Sequence, residues 1–244
     1  MADITVLTCV INSYDNLRPP QFVNPSKRYL CYLNDPWPAT PPWEYSPAYT
    51  PYPSQGRNSR IPKILSHLHC DTEYSIYHDA CFRMAVDPEE AVERWLKDSD
   101  MALLRHPCRQ DVYEEAALCL REGIGDPDEI NRQTEAYRAA GLPPRSGLWA
   151  GGILVRRHTP EVIRFNELWW EEFLHGCSRD QIALPYAIWK SGIAVHTIDA
   201  DIFTNPWWAW HWHAGFAGRG DNPEFVDTRR KIEQRWHELM RLCK

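Results

Sequence analysis

Hydrophobic positions fall into short runs separated by polar, cap-rich segments. Ile4–Ile11 (ITVLTCVI) is an unbroken, β-branched run and predicts a buried strand. Tyr29–Leu33, Tyr74–His78, Met101–Leu104, Gly151–Val155 and Ala194–Ile198 predict further strands. Four segments carry a capping residue followed by proline at the first helical position: Asp87-Pro88, Asp126-Pro127, Thr159-Pro160 and Asn222-Pro223. Behind them the apolar residues recur at helical spacing, as in Val92, Trp95 and Leu96, and in Val162, Phe165, Leu168 and Trp169. Val112–Arg121, Glu129–Ala140 and Ser178–Lys190 predict helices, and Ile61–His69 a short one. Strands alternating with helices predict an α/β domain with a mainly parallel central sheet flanked by helices. No linker divides the chain, so residues 1–244 read as a single domain.

Asn34–Pro53 breaks this rhythm. Ten of the 20 prolines precede residue 54, and seven of those lie in Pro36–Pro53. Such a segment predicts a loop rather than a ladder or helix, with its tryptophans and tyrosines pinned to the domain or closing over a ligand.

Composition narrows the classes. Hydrophobic residues make up 43% and charged residues 25% of 244, an ordinary globular balance. A net charge of −6 gives no support for binding nucleic acid by phosphate neutralisation. No apolar run reaches the ~18 residues of a membrane span, and Met1–Val10 lacks a basic, leader-like start. None of the eight cysteines forms a C-x-x-C pair. The expectation is a soluble, cytoplasmic chain with reduced thiols. Nucleophile-elbow, zincin, Walker and dinucleotide motifs are absent. Twelve tryptophans stand out, four of them in Trp207–Trp212. They fit buried packing or stacking on sugar rings.

In α/β sheets ligands gather at the carboxyl ends of strands. That directs attention to Asn12–Asp15, Asp35, Asp79 and Gly151-Gly152. Asp79 ends a strand, where a carboxylate can hold a hard divalent ion against diphosphate oxygens or simply make a turn. Arg179-Asp180-Gln181 opens an apolar helix; Ser178 and Gln181 fit a capping box, while Asp180 and Gln181 also fit contacts to a sugar or reacting centre. Gly151-Gly152 lets backbone approach a ligand. Arg57, Arg60, Lys63, Arg109 and the pair Arg156-Arg157 offer charge for a diphosphate or for the surface. His211 and His213 flank the last tryptophan of the run, and either could join Asp79 on a metal.

Several ordered stretches carry a resemblance. They are Tyr14-Asp15-Asn16-Leu17 with Pro19 beyond, Tyr29–Asp35, Lys63-Ile64-Leu65-Ser66-His67, Tyr74–Ala80, His106-Pro107-Cys108-Arg109 with Tyr113-Glu114-Glu115-Ala116, Gln133, Tyr137, Gly141-Leu142-Pro143, Gly147-Leu148, Arg156-Arg157-His158, Leu168-Trp169-Trp170 and Ser178-Arg179-Asp180-Gln181. Together they resemble a glycosyltransferase family that includes plant proteins linked to pollen turgor and seed mucilage. The likeness is clearest over residues 4–192; 193–244 adds a Trp-rich loop and a terminal helix. It implies a GT-A-like, Rossmann-type fold, a nucleotide-sugar donor such as a UDP-sugar, a glycan or other hydroxyl acceptor, and Mn²⁺ or Mg²⁺. On that implication Asp79, with His211 or His213, holds the metal. Thr8, Asn12, Tyr14, Asp15, Asp35, Arg60, Lys63, His67, Arg109, Gly151 and Gly152 line the donor site. Asp180, Arg179 and Gln181 serve the reacting centre, with Asp180 orienting the sugar or acting as base. The third position of Asp79-Ala80-Cys81 departs from the asparagine the family implies. A non-catalytic sugar-binding module on the same fold, and a transferase acting on modified viral DNA, are the alternatives.

Overall fold

The computed structural model describes residues 2–211. Nine strands and six helices run in the order β1 (Ile4–Val10), β2 (Arg28–Leu33), β3 (Glu44–Pro47), α1 (Gln55–Ile64), β4 (Tyr74–His78), β5 (Phe82–Met84), α2 (Pro88–Trp95), β6 (Met101–Arg105), α3 (Val112–Glu122), α4 (Pro127–Ala139), β7 (Trp149–Arg157), α5 (Pro160–His175), α6 (Asp180–Ser191), β8 (His196–Ile198) and β9 (Trp208–Trp210). Seven strands form one sheet in the order β3-β2-β1-β4-β7-β6-β8, and β5 pairs with β9 in a small second sheet. Only β7 runs against its neighbours in the large sheet, so the sheet is mixed but mainly parallel. β1 is buried along its whole length, as a central strand covered on both faces must be.

One face packs under α1, α5 and α6 through Leu7, Ile64, Leu154, Phe165, Trp169 and Ala183. The other packs Val6, Ile76, Val155, Trp43 and Trp95 with the small sheet and Trp208. The predicted caps form: Asp87, Asp126 and Thr159 each accept from backbone N–H groups of the first turn that follows them. The site segment at Asn222-Pro223 lies outside the described residues.

Four expectations need correction. The proline-rich segment does contribute a strand: β3 pairs parallel with β2. An edge strand needs one ladder only, so it tolerates Pro47 at its end. The short helix begins earlier than predicted, at Gln55, because Ser54 caps it by accepting from the Arg57 N–H at 3.3 Å. Residues 55–60 are too polar to reveal this by periodicity. Ser178 is not the cap of α6; Arg179 occupies that position and makes no side-chain cap bond. The Trp-rich run is not all loop. Trp208 is fully buried in β9 and stacks on Trp95, with ring centroids 5.0 Å apart. Trp207 meets Trp95 edge-on, and Trp43 is core, donating its indole N–H to the Arg18 carbonyl. These rings hold the last described segment onto the sheet.

Candidate functional site at the strand ends

β7 opens the site by a local irregularity. Its pairing with β6 jumps from Leu103↔Leu154 to Leu104↔Ala150, leaving Gly151–Ile153 bulged on that side. Bulges re-aim side chains next to sites. Here the two glycines let neighbouring side chains approach the backbone closely. A Cβ on Gly152 would lie 2.9 Å from Phe82 Cε2 and 3.2 Å from Asp79 Oδ2. One on Gly151 would lie 3.6 Å from Lys63 Nζ and 3.8 Å from Asp180 Oδ2. The bulge therefore faces two carboxylates and the lysine between them.

Asp79 follows β4 directly, and its N–H donates to the Gly152 carbonyl at 2.8 Å. The Tyr77 hydroxyl donates to Asp79 Oδ1 at 3.0 Å. Tyr77 was not singled out from the sequence, although its two-residue spacing to Asp79 is the signal for one strand face. Lys63 Nζ lies 2.7 Å from Asp180 Oδ2 and 3.7 Å from Asp79 Oδ1. Arg60, one helical turn earlier in α1, lies 3.6 Å from Asp180 Oδ1. Lys63 and Asp180 are nearly sealed at 3% and 5% side-chain exposure, whereas Asp79 is 35% and Arg60 30% exposed.

Burial alone would raise the Asp180 carboxyl, but Lys63, Arg60 and Arg179 together hold it well below the usual carboxylate range. Burial likewise opposes the Arg60 charge, and Asp180 and Asp79 more than restore it. A carboxylate held so firmly ionised is a weak proton acceptor at neutral pH.

The loop after β1 reaches the same place. Asn12 and Ser13 both hold left-handed backbone, with φ of 53° and 51°. Asparagine tolerates this better than most residues, and such strain persists where surroundings fix it. Asn34, after β2, does so: its Oδ1 accepts from the Asn12 N–H and its Nδ2 donates to Asn12 Oδ1, each at 2.7 Å. The Ser13 hydroxyl donates to Asp35 at 3.4 Å. Asp15 is buried. The Tyr14 hydroxyl is pushed up by burial, then by Asp15, Cys81 and Asp79. Thr8 is buried in β1, with its hydroxyl unpartnered.

The remaining expected residues sit elsewhere. Arg109 and Arg179 both bind Glu115, at 2.7 and 3.0 Å. Gln181 accepts from Arg179 and donates to the Trp149 carbonyl. Glu115 is fully buried, and only its place in the fold reveals its role. His67 meets Asn166 at 3.2 Å on the α5 side, away from Asp79. Arg57 donates to the closing carbonyls of α5, Arg156 to those of α1, and Arg157 pairs with Glu73 at the surface. The His211 N–H donates to the Cys81 carbonyl, and its ring is held neutral by burial, Arg18 and Arg83. His213 lies outside the described residues. No group of three His, Cys, Asp or Glu side chains suited to a metal occurs among the described residues. Asp79 still fits one coordination mode: a hard oxygen ligand, partly open to solvent, of the kind that holds Mg²⁺ together with substrate phosphates.

The fold is an α/β domain with a mainly parallel sheet and a charged site at its strand ends, and comparison with known proteins gives the family. The TOD1/MUCI70, glycosyltransferase-like domain model matches residues 48–206, and the chain belongs to that family. Those residues contain Lys63, Asp79, the glycine bulge and Asp180; β1 and β2 precede them. The chain is 33% identical over 144 residues to the "Probable hexosyltransferase MUCI70" of Arabidopsis thaliana, covering 54% of this chain and 25% of that protein. It thus spans about a quarter of that relative's length. Among solved structures, the WbbM bifunctional glycosyltransferase aligns with a TM-score of 0.51 at 10% identity, covering 81% of this chain and 39% of that one. Mouse xyloside xylosyltransferase 1 aligns with a TM-score of 0.45 at 10% identity, covering 81% and 85%. The WbbM match supports the GT-A-like fold.

Proposed function

We propose that this chain is a hexosyltransferase that moves a sugar from a nucleotide-sugar donor, a UDP-sugar first among candidates, to a hydroxyl acceptor. The carrying observation is the Asp180–Lys63–Asp79 row with Arg60, set against a glycine bulge at the strand ends. Family membership and the MUCI70 relative support it.

In the reaction the bond from the anomeric carbon to the donor phosphate oxygen breaks. A bond from that carbon to the acceptor oxygen forms. The acceptor hydroxyl's proton passes to the departing diphosphate oxygen, directly or through water, and the nucleoside diphosphate leaves. Charge builds on the diphosphate, so fixed cations facing it carry most of the work. Arg60 presents a partly exposed guanidinium; Lys63 adds a buried charge behind Asp79. Asp180, spent on both cations, orients them rather than taking the proton. Asp79 would hold a Mn²⁺ or Mg²⁺ ion, which would supply further neutralisation of the diphosphate. The loops after β1 and β2, through Asn12, Tyr14, Asp15 and Asp35, would hold the nucleoside. Gly151 and Gly152, lacking side chains, would let the sugar approach the β7 backbone.

The test is nucleotide release from UDP-, GDP- and dTDP-sugars, with and without Mn²⁺, for the wild type and Asp79→Ala. Release from one donor class, abolished by Asp79→Ala, is the expected result. Binding without turnover would favour the non-catalytic module, and neither binding nor turnover would sink the reading.

A further inference from the structure

Arg156 is a buried cation behind the site. It is fully buried in β7 and makes no ion pair among the described residues. Burying a guanidinium without a carboxylate is unfavourable unless its N–H groups find other acceptors. Its acceptors are the Lys63 carbonyl at 2.7 Å, the Ile64 carbonyl at 3.2 Å and Asn166 Oδ1 at 2.9 Å. The two carbonyls close α1 at its C-terminal end, where a cation is favoured.

That helix end needs support. Pro62 lies inside α1 and has no N–H to give, so the last turn lacks one internal bond. Lys63 follows it immediately. Its backbone is held by Arg156 and its ammonium by Asp180, so the residue is fixed at both ends. Asn166 also contacts His67 at 3.2 Å, extending the same network into the turn after α1.

We infer that Arg156 is a positioning residue: it fixes the backbone of Lys63 so that the ammonium stands between Asp180 and Asp79 and Arg60 keeps its place beside Asp180. The inference rests on reading this site as the donor site. It makes the cost of a buried, unpaired cation a cost of geometry at the strand ends.

The test is a double-mutant cycle. Arg156→Met and the milder Arg156→Lys are each made with Lys63 present and with Lys63→Ala. Donor affinity is measured by calorimetry, alongside thermal unfolding. With Lys63 present, Arg156→Met should weaken donor binding about 10-fold and Arg156→Lys about 3-fold. With Lys63→Ala, neither should add more than about 2-fold. Equal losses in both backgrounds would overturn the inference, since Arg156 would then act on the fold alone. Should Arg156→Met fail to fold, Arg156→Lys carries the cycle. If the wild type binds no donor, the functional reading fails separately. A crystal structure of Arg156→Lys then decides: Lys63 still seated on Asp180 overturns the inference, and Lys63 displaced supports it.

Discussion

Two buried charge centres lie side by side at the start of α6. In one, Asp180 meets Lys63 and Arg60. In the other, Glu115 meets Arg109 and Arg179. Each sets one carboxylate against two cations, and residues 179 and 180 send one side chain to each. Their surroundings differ. Glu115 is fully buried, and its two arginines and His106 close around it. Beyond Lys63 stands Asp79, partly open, with a bulge of two glycines opposite. Charge and burial therefore do not separate a site from a structural brace. Access to solvent does: Asp79 is 35% exposed, whereas Glu115 is sealed.

The comparison can be broken at several points. The largest effect is expected from Lys63→Ala, which should lower donor turnover by about 10²–10³-fold, the cost of losing one fixed charge partner of a developing anion. Steady-state kinetics with the chain still folded by circular dichroism checks it; turnover within about 3-fold of wild type would break the contrast. Glu115→Gln should act on stability instead. Two arginines lose their shared partner, but both are partly solvated, so the loss should be about 2–3 kcal/mol rather than that of a sealed pair. Urea unfolding reads it, and donor affinity of the folded protein should change less than about 2-fold.

Acid should find the same brace. Burial, with Arg109 and Arg179 and against the pull of Glu115, lowers His106 to about 4. The folded protein then binds fewer protons than the unfolded chain below the free value near 6.5. This stability is present above about pH 6.5 and is lost as pH falls toward 4, by about 2 kcal/mol at pH 4.5. His106→Gln should flatten that part of the pH–stability curve; an unchanged slope would show that His106 does not carry it. The smallest effect is expected at the bulge. Gly152→Ala places a Cβ against Phe82 and Asp79 and should cost about 10-fold in turnover, while Gly151→Ala, with only ordinary contacts, should cost less.

Much of the fold was legible because its signals are local. A β-branched run marked β1, short apolar and aromatic runs marked β2 and β4, and Asp-Pro or Thr-Pro starts marked α2, α4 and α5, since capping and patterning need only neighbours in sequence. β3, β5 and β9 were not legible. Each is three or four residues long and exists because a distant strand offers a ladder. The site divides the same way. Asp79, Asp180, Lys63, Arg60 and the two glycines could be picked out as residues that sit at strand ends and helix starts. The sequence could not say that Arg109 and Arg179 belong to Glu115, or that Arg57 and Arg156 serve helix carbonyls.

By itself, then, the sequence determined the alternation of elements, the caps, the mainly parallel sheet and the strand ends where chemistry would gather. Only the tertiary structure decided which cations face the site. A cation's role is set by the carboxylate, carbonyl or solvent that packing brings within a few ångströms, and those partners lie 16 residues from Lys63 at Asp79's end of the row and over a hundred at Asp180's. Periodicity carries no information at that range.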